Sequence, residues 1–262
     1  MSLVLDYPLS VKYNGTDLHS VNGVSVLDRV VNDLPNRSVR LYKLARQDGS
    51  IVTTSEYADK KIKIIGAVIL PSRTEAEEAL DAIRAIVAEP EGQIDVTVAG
   101  TTRRWTGTMS GMSNTLKGGY ATFAIEFTCA DPFGTDTDTV TLINGTSNTA
   151  SNNTFSMAIE GSYKAEPYIT INYSAISGGT GATVSLYNAA DGIGLDITRD
   201  WTTGDILEVD NLNQTVQVNS TDVTRVGRFF SFQPGARGIG YNDTFSTSRT
   251  MTITATYQKR YV

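Results

Sequence analysis

Two carboxylates, Glu208 and Asp210, fall on the same side of the strand-like run Asp205-Ile206-Leu207-Glu208-Val209-Asp210. Strand geometry sets them ~6–7 Å apart. At that separation one carboxyl can protonate a glycosidic oxygen while the other serves as base or nucleophile. Two acids on the outer face of a strand are also the ordinary dress of a solvated surface, and that reading is preferred. Asp136 and Asp138 are oxygen donors of the kind calcium takes, without the glycine and terminal glutamate of a known loop pattern. Trp201, Tyr241 and Tyr257 have the flat apolar faces that line sugar grooves, although aromatics in a sandwich more often serve its core or rim. Arg103-Arg104-Trp105 sets two cations beside an indole. That combination stacks on nucleic acid or sugar, and in an acidic chain a protein contact or a packed tryptophan is favoured. The stretch Gly235-Ala236-Arg237-Gly238-Ile239-Gly240 lacks the strand-to-helix setting of a phosphate loop and reads as turns.

Composition removes whole classes of function. The 262 residues include one histidine and one cysteine. A histidine-based triad away from His19, a multi-histidine metal site, an internal disulfide and a cysteine zinc cluster are therefore impossible. Asp and Glu outnumber Lys and Arg by 28 to 22, a net charge of −6, which argues against sequence-independent binding of nucleic acid. No segment has the ~18 apolar residues of a membrane span. Met1-Ser2-Leu3-Val4-Leu5-Asp6 lacks the basic and apolar regions of a secretory signal, so a cytoplasmic site of synthesis is expected. His19 sits in a polar loop and reads as solvated. Cys129 shares the apolar side of its strand with Phe127 and reads as a buried, inert thiol. Neither a cofactor nor a catalytic set is expected.

The elements that carry these residues are mostly strands. Ile62, Ile64, Val68 and Leu70 alternate along residues 61–70, Ile94, Val96 and Val98 along 93–98, and Phe123, Ile125, Phe127 and Cys129 along 121–129. Alternation of this kind marks half-buried antiparallel strands. Residues 93–109 read as a hairpin about Ala99-Gly100-Thr101. One segment breaks the period: residues 74–89 place Ala76, Ala79, Leu80, Ile83, Ile86 and Val87 on one helical face. Thr74 and Glu77 fit a capping box, and Pro90 and Gly92 a stop. Residues 135–154, rich in Thr, Asn and Ser, read as a connecting arm holding one strand with Val140, Leu142 and Ile143. Strands are then expected at 155–161, 167–173, 182–187, 193–197, 206–210, 215–218, 228–233 and 249–257, the spacing of a β-sandwich or jelly roll. The fold class is mainly β, with an α+β first domain (1–134) and an all-β second domain (155–262).

The order of several phrases resembles the distal tail protein family of long-tailed siphophages. They are Tyr13-Asn14-Gly15, Arg37-Ser38-Val39-Arg40, Lys61-Ile62-Lys63-Ile64-Ile65-Gly66, the helix, the Trp-bearing hairpin, and the closing run from Phe123 to Asp131-Pro132-Phe133. The second half adds Gly161-Ser162-Tyr163, Gly204-Asp205-Ile206 and Phe229-Phe230-Ser231-Phe232-Gln233-Pro234-Gly235. The resemblance implies a first domain with its helix on a β-sandwich or split barrel and a galectin-like second domain. It also implies a homo-hexameric ring at the virion tail tip. The ring's partners would be the tail tube protein, the tail hub protein and, nearby, the tape measure protein, with no membrane insertion. One departure is Asn219-Ser220-Thr221, where a glycine turn is expected.

A structural building block, not an enzyme, is thus the expected function. The candidate inter-subunit contacts are Arg103, Arg104, Trp105, Leu142 and Ile143. The competing reading is a carbohydrate-binding module that uses the second domain for host attachment.

Overall fold

The structure, a computed structural model, describes residues 9–30, 35, 37–43 and 50–262. Residues 1–6, on which the reading of the N-terminus rests, lie outside them. The chain divides into two compact units, Met1–Thr137 with Val262, and Asp138–Tyr261.

The first unit comprises β1 (Leu9–Tyr13), β2 (Thr16–Asp17), a 3-10 turn (Leu18–Ser20), β3 (Val24–Val30), β4 (Arg37–Lys43), β5 (Ser50–Tyr57), β6 (Lys60–Ile69), α1 (Arg73–Val87), β7 (Gly92–Val98), β8 (Thr101–Lys117) and β9 (Tyr120–Cys129). The next strand, β10 (Gly134–Asn148), begins in it. Strand β8 serves two antiparallel ladders. Its first part, Thr101 to Gly107, pairs with β7, and Thr108 to Lys117 pairs with β9, with a bulge between Met109 and Gly111. The ladders run β2–β1–β7–β8 and β8–β9–β6–β3. The alternation seen in the sequence appears as burial: Ile62, Ile64, Val68, Phe123, Ile125, Phe127 and Cys129 all lie inside.

Helix α1 covers this core with Ala76, Ala79, Leu80, Ile83 and Val87. Its small alanines let the backbone approach the strands closely. Its N-cap is Ser72, whose hydroxyl accepts the Glu75 N–H at 3.2 Å, two residues before the expected Thr74. Ser72 and Glu75 have the same spacing as Thr74 and Glu77, so the motif occurs twice and only packing selects between them. Tyr13-Asn14-Gly15 forms the β1–β2 turn, with φ of 48° at Asn14 and 80° at Gly15. There the Asn14 side chain accepts the Gln93 N–H at 2.7 Å and the Tyr13 hydroxyl donates to the Glu89 carbonyl at 2.9 Å. His19 is not merely solvated: its Nε2 accepts the Val26 N–H at 3.2 Å, so its proton sits on Nδ1, facing Asp17 at 3.2 Å. Burial would raise the Asp17 carboxyl, but the bonds from the His19 backbone and the Ser10 hydroxyl outweigh it and hold it low.

The second unit holds β11 (Asn152–Ile159), β12 (Tyr168–Ser177), β13 (Ala182–Asn188), β14 (Gly194–Arg199), β15 (Ile206–Asp210), β16 (Thr215–Val218), β17 (Thr221–Asp222), β18 (Val226–Gly227), β19 (Gly235–Asp243) and β20 (Ser248–Tyr261). One sheet runs β11–β19–β13–β14–β18, and the other contains β17–β16–β15–β12–β20. Between them lie Ile169, Ile171, Tyr173, Leu207, Val209, Ile253 and Ala255 from one sheet and Phe155, Val184, Leu186, Leu195, Ile197, Ile239 and Tyr241 from the other. This is the β-sandwich expected of a galectin-like domain.

Two expectations fail here. Gly235–Asp243 is not a set of turns but a strand between β11 and β13. Gly238 and Gly240 sit on its outer side, where neighbouring side chains cover them. Residues 228–231 form no ladder; Phe230 and Phe232 are instead buried anchors with rings 5.6 Å apart, edge to face. The Asn219-Ser220 turn is tight without glycine. Both residues adopt positive φ, 51° and 61°, a geometry asparagine tolerates best after glycine. Asn219 also accepts the Ile206 N–H at 2.9 Å and donates to Asp205 at 2.8 Å.

Candidate functional site

The residues singled out for chemistry are taken up by the fold. The Glu208 carboxylate accepts the Tyr168 hydroxyl at 2.6 Å. Asp210 accepts the N–H groups of Leu212 at 3.0 Å and Asn213 at 2.9 Å, which makes it the cap of the next turn. Trp201, Tyr241 and Tyr257 are 3%, 0% and 4% exposed, so they line no sugar groove. The Trp201 indole donates to the Ala182 carbonyl at 3.0 Å, and Tyr257 accepts the Glu160 N–H at 2.8 Å. Aromatic rings with one polar tip are what a sandwich core takes when a backbone group lies within reach. Among the described residues no three His, Cys, Asp or Glu side chains gather to hold a metal, Asp136 and Asp138 included. No helix among them is long and apolar enough to cross a membrane.

Of the five candidate contacts, Trp105 and Ile143 are buried at 5% within their own chain. Gly134 lies against the Trp105 ring. Arg104 forms a two-pronged pair with Asp95, both bonds 2.7 Å, which keeps the guanidinium charged. Leu142 packs partly on the core of the second unit. Arg103 is half-buried on β8.

The surface that the sequence did not mark is the β4–β5 ribbon. Among the described residues it is a two-stranded sheet, running from Arg37 opposite Tyr57 to Lys43 opposite Ser50. All seven β4 residues are exposed. Leu41 and Tyr42 are 65% and 63% exposed, with Ile51 and Val52 beside them. The alternation puts Leu41 and Val52 on one face and Tyr42 and Ile51 on the other. The strands also carry Arg37, Arg40 and Lys43 against Glu56. At the root, the Arg37 guanidinium lies 4.5 Å over the Tyr57 ring, which meets Phe133 edge-on at 5.2 Å. An isolated ribbon with apolar groups on both faces is marginal in water.

The chain is a β-sandwich and a helix-covered β-unit in tandem, with Trp201, Tyr241 and Tyr257 buried where a sugar site was sought. Residues 160–261 match the model of a family described as siphovirus-type tail component, C-terminal domain. The chain also matches the solved structure of the Dit protein of phage SPP1, described as a paradigm of hub adsorption apparatus in Gram-positive infecting phages. The TM-score is 0.75 at 13% identity, covering 97% of this chain and 100% of that one. At that identity the likeness shows the fold alone. A weaker match, TM-score 0.44 at 9% identity, is to the activated baseplate of phage P2 with calcium, covering 95% of this chain and 98% of that one. None of the curated proteins matches. Residues 160–261 are thus similar to the C-terminal domain of siphovirus-type tail components, and the whole chain has the fold of the SPP1 Dit protein.

Proposed function

We propose that this chain forms a homo-hexameric ring at the tail tip that joins the tail tube protein to the tail hub protein, with the tape measure protein nearby, and that it catalyses no reaction. In this reading residues 1–134 build the ring, 135–154 link, and 155–262 support the rest of the tip. The observation that carries it is the β4–β5 ribbon, which presents Leu41, Tyr42, Ile51 and Val52 to solvent in the single chain. Burying four such side chains yields roughly 1.5–3 kcal/mol each relative to exposure. A copy of the chain offers a surface for them at every step of a head-to-tail ring. Charge favours the same pairing, since the basic ribbon belongs to a chain of net charge −6. Arg103 and Leu142, each half-buried, are proposed as secondary contacts.

Native mass spectrometry tests this directly. The expected species is six times 28.3 kDa, alone or on addition of tail tube protein. Leu41→Ser with Ile51→Ser should leave a folded monomer under both conditions. A hexamer that survives both substitutions excludes the ribbon as the joint, and a wild-type monomer that ignores its tube protein excludes the ring.

A further inference from the structure

The outer face of the β11–β19–β13–β14–β18 sheet holds a groove of about 370 Å³ lined by Ser185, Tyr187, Gly192, Gly194, Asp196 and Asn242. Strand register explains its shape. Asn242, Ser185 and Asp196 lie side by side across β19, β13 and β14. The next row on the same face is Gly240, Tyr187 and Gly194. Rows along a strand repeat at ~6.6 Å and neighbours across it at ~4.8 Å. The two rows therefore form a patch the size of one or two sugar rings.

Both glycines are sterically required. A Cβ at Gly240 would lie 2.2 Å from the Tyr187 ring, which rests on that residue, and one at Gly194 would lie 2.3 Å from the Leu186 carbonyl oxygen. The outcome is an aromatic wall over β19 beside a bare backbone floor on β14. The polar row differs from its neighbour in being unpartnered. One row further, Thr183 and Thr198 satisfy each other at 2.8 Å. Among the described residues no partner within the chain engages the side chains of Ser185, Asp196 or Asn242 or the Tyr187 hydroxyl. Beyond Asp196 the row ends in Val226, 71% exposed.

We propose that this groove binds a neutral saccharide, with a sugar C–H face against Tyr187 and hydroxyls bonded by Asp196, Asn242 and Ser185. The chemistry selects that class. A carboxylate accepts two O–H bonds, an amide donates and accepts, and an aromatic wall takes the apolar side of a pyranose. Asp196 is the one charged group lining the groove, so an anionic ligand is repelled. The site is complete in one chain and does not depend on the ring.

The test is saturation-transfer NMR on the full chain with galactose, glucose and N-acetylglucosamine at millimolar concentration, and with glucose 6-phosphate as the charged comparison. A shallow single site predicts a dissociation constant on the order of 1 mM for at least one neutral sugar. Asp196→Ala, an exposed position that leaves the sandwich intact, should weaken it about tenfold or more. Tyr187→Phe, which keeps the ring on Gly240, should retain binding, and Tyr187→Ala, checked for folding by circular dichroism, should lose it. No transfer to any of the three neutral sugars overturns the proposal. Undiminished transfer with Asp196→Ala, or tighter binding of the phosphorylated sugar, overturns it as well.

Discussion

The Asp243 carboxylate, wholly enclosed in the sandwich, is paired with the Arg249 guanidinium at 2.8 Å across the turn between β19 and β20. It also accepts the Tyr241 hydroxyl at 2.7 Å and the Phe245 N–H at 3.0 Å, while Arg249 donates to the Phe245 carbonyl at 3.0 Å. Removing one partner leaves the other charge buried and alone, at a cost of about 3–5 kcal/mol. Arg249→Met should therefore lower stability by that amount in urea unfolding. Adding Asp243→Asn to Arg249→Met should cost less than the two single changes summed, because the stranded charge is gone.

Gly66 lies opposite Phe123, and a Cβ there would come 2.2 Å from the ring. Phe123 is 2% exposed and has no room to retreat. Gly66→Ala should destabilise the first unit by about 1–3 kcal/mol through overpacking. Gly111→Ala, at a position with open space around it, should change the melting temperature little. Thermal denaturation of the pair isolates the steric cause.

Tyrosine ionisation gives a pH dependence of known sign. The bond to Glu208, then burial and the nearby negative charge, pushes the Tyr168 phenol up to about 12, and burial raises Tyr173 and Tyr241 as well. A folded value above the unfolded value of ~10 means that the folded state holds its protons longer. The resulting stability is complete below about pH 10 and is lost as pH rises through the folded values. Absorbance at 295 nm should show Tyr173 and Tyr241 titrating late and together with unfolding. In Glu208→Gln, Tyr168 should titrate earlier.

The Cys129 thiol is fully buried on β9, and burial pushes it up to about 12. Nucleophilic reaction requires the thiolate. At pH 8 the folded chain should not react with a disulfide reagent such as DTNB, and one thiol per chain should appear in denaturant. Rapid labelling of the native protein would contradict the burial of this strand face.

The early recognition of β6, β9 and α1 rests on periodicity, which survives because one side of each element faces a core. Ile62, Ile64, Phe123 and Ile125 alternate because only every second side chain can point inward. Helix α1 repeats its apolar residues at three and four for the same reason. Strand β19 escaped because its glycines imitate turns. What makes them strand residues is the Tyr187 side chain on Gly240, contributed from a strand fifty residues away. Trp201, Tyr241 and Tyr257 were weighed as surface aromatics because residue type does not say which sheet will close over a ring.

Local order along the chain, then, determined by itself the mainly-β class, helix α1 and the buried position of Cys129. Those properties need only a residue's type and its immediate neighbours. Tertiary structure alone decided which carboxylates are occupied, that Asp210 caps a turn, that β4 and β5 pair as an exposed ribbon, and that Tyr187, Asp196, Ser185 and Asn242 meet on one face. Each of these depends on strand pairing between segments distant in sequence, where a shift of one residue would turn every side chain to the opposite face.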